Sequence, residues 1–193
     1  LADEVQGEFA SQETNAFVNG DGVNQPKGFL SYPITEESVR APNEIGYVAS
    51  GGAGGFDPSN PADRLLDLIY APKQAYRANA RFALNRKTLS VVRKFKDADG
   101  NYLWQPSLSA GSPSTLFGYP VTEVEDMPDI GADTHAIAFG DFARFYLIVD
   151  RQGVKILRDP YSAKPYVLFY TTKRVGGGVQ NFDAVKLMKF AAA

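Results

Sequence analysis

Residues 137–178 read IAFGDFARFYLIVDRQGVKILRDPYSAKPYVLFYTTKRVGGG, and the fold class turns on how they are read. Three runs, 142–149, 154–157 and 166–173, are dense in Tyr, Phe, Val, Ile and Leu and predict strands. An Arg151-Gln152-Gly153 turn and an Asp159-Pro160 break are expected between them, with Gly176-Gly177-Gly178 closing the last. A half-buried strand alternates apolar and polar residues. Residues 145–149 do not, so both faces of that strand need cover. Nothing in the stretch resembles a catalytic constellation. A chain whose most ordered region is two-sided β surface reads as a building block rather than an enzyme.

Working outward, 193 residues suffice for one full core or for two unequal lobes. With 44% hydrophobic and 22% charged residues the composition is that of a folded chain. Twenty basic residues against 22 acidic ones leave a formal charge of -2, which argues against a generic nucleic-acid binder. The local basic cluster Arg86-Lys87, Arg93-Lys94 and Lys96 reads as a solvated helix face. There is no cysteine, so disulfide and thiolate chemistry are absent and stability must come from packing or assembly. No apolar run is long enough to span a bilayer as a helix, and no signal peptide is visible.

The opening LADEVQGEFASQETNAF places Leu1, Val5, Phe9 and Ala16/Phe17 near helical spacing, without an N-cap before Leu1. The expectation is the back half of a longer helix, and a chain that is a fragment. Asn19-Gly20-Asp21-Gly22 forms turns, residues 28–30 look strand-like, and residues 33–55 read as a long loop with prolines and glycines. Asn60-Pro61-Ala62-Asp63 starts a helix with Asn60 as cap. Residues 82–84 form a short buried strand, and Asn85 caps a helix burying Leu89, Val92 and Phe95. A turn at 97–101, a strand from 102, a loop over 105–114, and strands at 117–125, 135–140 and 185–190 complete the pass. Helices and strands without a βαβ rhythm indicate an α+β fold.

The motifs that carry chemistry fail on their own patterns. Gly51, Gly52, Gly54 and Gly55 lack the Lys-Ser/Thr of a phosphate loop, and Asp57 stands where a dinucleotide fingerprint needs glycine. Asp97-Ala98-Asp99-Gly100-Asn101 lacks a calcium loop's terminal Glu, since Leu108 occupies that position. His135 is the single histidine. No G-x-S-x-G elbow exists to serve it, so a packed or hydrogen-bonded histidine is expected. One histidine without cysteine does not make a zinc site. Glu123, Glu125, Asp126 and Asp129 either chelate a cation or form a solvated loop. Lys173 and Arg174 pair with acids of a neighbouring subunit or within the chain.

Four blocks in order then carry a resemblance: NAFVNGDGVNQPKGFL (15–30), RANARFALNRKTLSVVRKFKDADGNYLWQP (77–106), SPSTLFGYPV (112–121), and IAFGDFARFYLIVDRQG through KRVGGGV. The chain resembles the major capsid proteins of tailed bacteriophages with the Hong Kong ninety-seven fold. The resemblance implies an axial domain (23–140, rejoined by 179–193) and a peripheral domain (the end of a spine helix at 1–22, and strands at 141–178). It implies a structural head subunit, not an enzyme, with no cofactor. Its partners would be copies of itself in pentamers and hexamers, portal and maturation protease, and at most non-specific DNA. No membrane is involved, and assembly into a virion shell would occur in the bacterial cytoplasm. Ring contacts are expected at Gly51, Gly52, Gly54, Gly55, Phe56 and Asp57, at Pro106, Ser112 and Pro113, and at Lys173 and Arg174. Some relatives cross-link a lysine to a peripheral-domain asparagine. No asparagine lies between Gly153 and Val179, so no cross-link is expected. The alternatives are a bacterial nanocompartment shell or a gene-transfer particle and, in another class, a hydrolase or metal-dependent enzyme using His135 and the acidic cluster.

Overall fold

A computed structural model describes residues 2–58, 60–96 and 115–192. Helix α1 (Ala2–Asn19) leads through a 3-10 turn (Phe29–Ser31) to strands β1 (Ile34–Glu36), β2 (Ile45–Ala49), β3 (Gly51–Gly52) and β4 (Gly55–Phe56). Helices α2 (Pro61–Tyr70) and α3 (Gln74–Arg77), strand β5 (Arg81–Leu84) and helix α4 (Arg86–Arg93) follow. Strands β6 (Thr115–Leu116), β7 (Tyr119–Glu123) and β8 (Ile137–Gly140) come next, then helix α5 (Phe142–Phe145) and strands β9 (Tyr146–Asp159), β10 (Leu168–Val179) and β11 (Val185–Lys189). Two compact units result, one of residues 1–31 and 147–179, the other of 32–146 and 180–193.

The larger unit is built on a seven-stranded sheet in the order β1-β2-β11-β8-β5-β7-β6. Strand β8 is antiparallel to both β11 and β5, whereas β2 runs parallel to β11 and β7 parallel to β5. The central strands β8 and β11 are buried on both faces. Leu65, Leu68 and Ile69 of α2 and Leu89 and Val92 of α4 close a core on Phe82, Leu84, Ile137, Phe139, Met188 and Phe190. Each such side chain contributes about 1.5–3 kcal/mol when removed from water. The Phe82 and Phe139 rings lie 4.6 Å apart, and Tyr119 meets Phe139 edge-on at 5.0 Å. Lys186 is buried within β11 and answered by Glu37 at 2.7 Å. Arg40 pairs with Asp183, which also takes Lys73 at 2.9 Å, so the segment after β1 is clipped to the sheet by ion pairs. Burial pushes the Lys186 ammonium below the usual lysine range against the pull of Glu37.

Asn85 behaves as its sequence position suggests. Its Oδ1 accepts from the Thr88 amide at 2.8 Å, and its Nδ2 donates to the Met127 carbonyl at 3.0 Å and Asp129 at 2.7 Å. One buried side chain therefore caps α4 and pins the 124–130 loop. Asn85→Ala is expected to cost about 2–3 kcal/mol, the lost cap plus a buried carbonyl left unpaired, measured as a shift in the urea midpoint.

Several elements differ from the sequence reading. Residues 142–149 are not one strand. The Asp141 side chain accepts from the Ala143 and Arg144 amides and turns 142–145 into a short helix before β9 begins. Arg151-Gln152-Gly153 is no turn but the middle of a 14-residue strand. Strand β10 runs on through Gly176-Gly177-Gly178 instead of ending before them. Residues 28–30 enter a 3-10 turn, and the expected loop at 33–55 holds β1, β2 and a β3–β4 hairpin. Residues 117–125 are interrupted by a Phe117-Gly118 turn, both residues having positive φ, which makes β6–β7 a hairpin. Asn60 occupies the α2 N-cap position but its side chain makes no capping bond, leaving Pro61 and Asp63 as the helix-start signals. The expected turn at 97–101, the strand from 102 and the loop at 105–114 lie outside the described residues.

Candidate assembly surface

In the smaller unit, α1 is held by its C-terminal end. The Gly28 amide donates to the Gly20 carbonyl at 2.9 Å, the Ser31 hydroxyl to the same carbonyl at 2.7 Å, and the Lys27 amide to Gly177 on β10 at 3.2 Å. A Cβ on Gly28 would fall 2.5 Å from Val18 backbone, so only glycine fits there. Val18 and Phe29 are buried at this corner. Beyond it, β9 and β10 form a two-stranded ribbon. Leu147, Ile148, Val149, Val154, Ile156 and Leu157 on β9, with Phe169 and Tyr170 on β10, are all exposed. The exposed residues include consecutive positions, which point to opposite faces of a strand. Both faces of the ribbon therefore carry exposed apolar side chains, although α1 packs against part of β10. An exposed apolar patch of this kind marks a contact surface.

The expected contact residues fall into three groups. Gly51, Gly52, Gly54 and Gly55 form the β3–β4 hairpin, with Gly51 and Gly54 at positive φ. Ser50 Oγ donates to the Gly52 and Gly55 carbonyls, and the Gly51 and Gly54 amides donate to Ala191 and Phe190. The glycine cluster is thus a tight turn tied to the end of β11. Phe56 is engaged inside the chain, edge-on to Phe95 at 4.8 Å and Phe190 at 5.0 Å. Asp57 lies beside Asp63, Arg64 and Asp67 in a shallow surface groove. Pro106, Ser112 and Pro113 lie outside the described residues. Lys173 reaches Glu13 of α1 within the same chain, and this hydrogen bond holds its ammonium above the usual lysine range. Arg174 has no carboxylate partner among the described residues and lines a groove with Lys27, Arg151 and Lys173. Arg151 escaped the sequence reading because its Gln-Gly neighbours imitate a turn.

The residues of the enzymatic alternative do not converge. Glu125 pairs with Arg86 at 3.5 Å, and Asp129 with Lys87 at 2.6 Å. Among the described residues no group of three His, Asp or Glu side chains is spaced to hold a metal ion. His135 is half-buried just before β8, edge-on to Tyr47 at 6.0 Å, and its Nε2 has no hydrogen-bond partner. Asp133, whose charge acts on the imidazole, is taken by Lys189 at 2.8 Å. Burial first and Lys189 second push the imidazole below its usual value, with Asp133 opposing. The unfolded chain therefore protonates first as the pH falls below about 6.5, and stability declines through that window. The pH dependence of the melting temperature between about pH 6.5 and 5 should flatten in His135→Gln. A slope unchanged by that substitution would remove His135 as its source.

The phage capsid family matches residues 1–190. The chain belongs to this family. The capsid of an empty GTA (gene-transfer agent) particle is 53% identical over 99% of the chain, with a TM-score of 0.92. The chain spans 65% of that capsid protein's length. The Gordonia phage Cozz protein matches at 19% identity and a TM-score of 0.56, over 99% of this chain and 62% of its own. The SrpI encapsulin of Synechococcus elongatus PCC 7942 matches at 14% identity and 0.58, over 97% of this chain and 63% of its own, a likeness of fold alone. No curated protein matches. Membership in the capsid family fits a molecule whose salient surface is an uncovered apolar ribbon rather than a cleft.

Proposed function

We propose that the protein is a major capsid (head) subunit that assembles, through pentamers and hexamers, into a closed icosahedral shell around DNA. Residues 32–146 and 180–193 serve as the axial domain. Residues 1–31 and 147–179 serve as the peripheral domain, with α1 as the end of the spine helix. These boundaries follow the two compact units. The observation that carries the reading is the ribbon: β9 and β10 expose apolar side chains on both faces, a surface that neighbouring copies would complete. Contacts of one kind repeated around rings close a shell, and each can be modest because many act together. The β3–β4 hairpin and residues 106–115 take part in subunit contacts, whereas Lys173 is committed to Glu13. The subunit performs no chemistry of its own. Portal and maturation protease are its assembly partners, and the virion its destination after assembly in the bacterial cytoplasm.

A second reading, the shell of a gene-transfer particle, is favoured by the 53% identity to a GTA capsid. Expression of the whole protein followed by sedimentation and electron microscopy tests both readings. Rings or closed particles are expected, and a protein that stays monomeric at every concentration would refute them. The enclosed content then separates the shells: DNA marks a phage head or gene-transfer particle, and an enzyme cargo marks a nanocompartment.

A further inference from the structure

The groove beside the ribbon is unlike the rest of the surface. It has a volume of about 530 Å³ and lies between residues 22–27 and the β9–β10 strands. Four cations, Lys27, Arg151, Lys173 and Arg174, line it, and no carboxylate does. Lys173 is answered from outside the lining by Glu13, but Arg151 and Arg174 have no acidic partner among the described residues. They stand on the two paired strands of one ribbon, where neighbouring like charges repel. Concentrating positive charge this way is notable in a chain whose formal charge is -2. The floor is bare: a Cβ on Gly176 would meet only the Val149 carbonyl, at 3.9 Å. A ligand can therefore lie along the backbone without meeting side chains.

We propose that this groove binds the phosphodiester backbone of nucleic acid. The proposal rests on the shell reading above for the source of that nucleic acid and assigns it a place on the subunit. Guanidinium forks match phosphate oxygens bidentately. Two guanidiniums without an acidic partner among the described residues, set in one basic groove, suit a linear polyanion, which carries about one charge per 1.7 Å of duplex.

The test uses the whole protein, unassembled, and a fluorescent random-sequence duplex of about 20 base pairs, with anisotropy read at about 50 and 200 mM salt. Arg151→Glu with Arg174→Glu should weaken binding at least about tenfold at the lower salt and reduce the log–log salt slope by about two. Arg86→Glu with Lys87→Glu, which removes paired cations of α4, should leave affinity within about twofold. If the glutamate variant does not fold, Arg151→Gln with Arg174→Gln should still weaken binding several-fold. Unchanged DNA affinity in a folded groove variant overturns the proposal. So does equal loss in the α4 control. Retained DNA binding with lost assembly also overturns it, and makes the groove a subunit contact. Sedimentation of the same samples judges the shell reading separately: particles from wild-type protein sustain that reading even where the groove proposal fails.

Discussion

Glutamate at Ile148 and Ile156 should abolish particle formation while leaving the unassembled protein folded. The two side chains are 54% and 66% exposed, so substitution should change stability by no more than about 0.5 kcal/mol. If neighbouring copies complete the ribbon, the same positions lie against them in the assembled state. Burying an unpaired carboxylate in such an apolar contact costs several kcal/mol, and every subunit of the shell bears that cost twice. A melting curve superimposable on wild type, with sedimentation confined to monomers or small oligomers, is the expected pair of results. Particles forming normally from the double variant would place the subunit contacts elsewhere.

Gly140→Ala should be the most damaging single substitution in the larger unit. Gly140 ends β8 at a φ of +149°, in the region that favours glycine. A Cβ there would lie 2.7 Å from the Val185 Cα and closer still to the Ala184 carbonyl, which already accepts from the Asp141 amide at 3.0 Å. Ala184 and Val185 are wholly buried, and Gly140 pairs across to both Val185 and Arg81, so neither neighbouring strand can withdraw. A loss of more than about 4 kcal/mol is expected, a large part of a typical domain's stability. Gly118→Ala is the control. Its φ is +83° but nothing lies within 4 Å of the added carbon, so it should cost only about 1–2 kcal/mol. Urea denaturation of the two variants, read against soluble yield, separates steric collision from backbone preference.

What was legible in the sequence follows the range of the forces involved. Asn85, Leu89 and Val92 carry their signal within a few residues and stand as cap and buried stripe where the spacing put them, whereas Phe95, expected on the same stripe, lies past the end of α4 and is only partly buried. Family membership was legible too, because four blocks kept their order along the chain. Strand β2 was hidden. Gly46 and the flanking prolines look like loop, yet Gly46 lies inside β2, where a Cβ would displace the Glu37 carboxylate that meets Lys186. The order β2-β11-β8 was also out of reach, since nothing near residue 185 announces that the last strand enters the middle of the sheet. Along the ribbon the same lack of cover that exposed its role obscured its length. With both faces in solvent, Arg151-Gln152-Gly153 fits inside a strand as easily as in a turn. The basic groove was illegible for a related reason: Lys27 and Arg174 are far apart in sequence, and the Lys27–Gly177 backbone bond helps bring their segments together.

Hydrogen exchange of the β9 and β10 amides, compared between unassembled protein and particles, tests the central claim most directly. A ribbon completed by neighbouring copies should exchange at least about tenfold more slowly once assembled, while the buried strands β8 and β11 change little. Particles in which the ribbon exchanges as fast as in the free subunit would contradict the account.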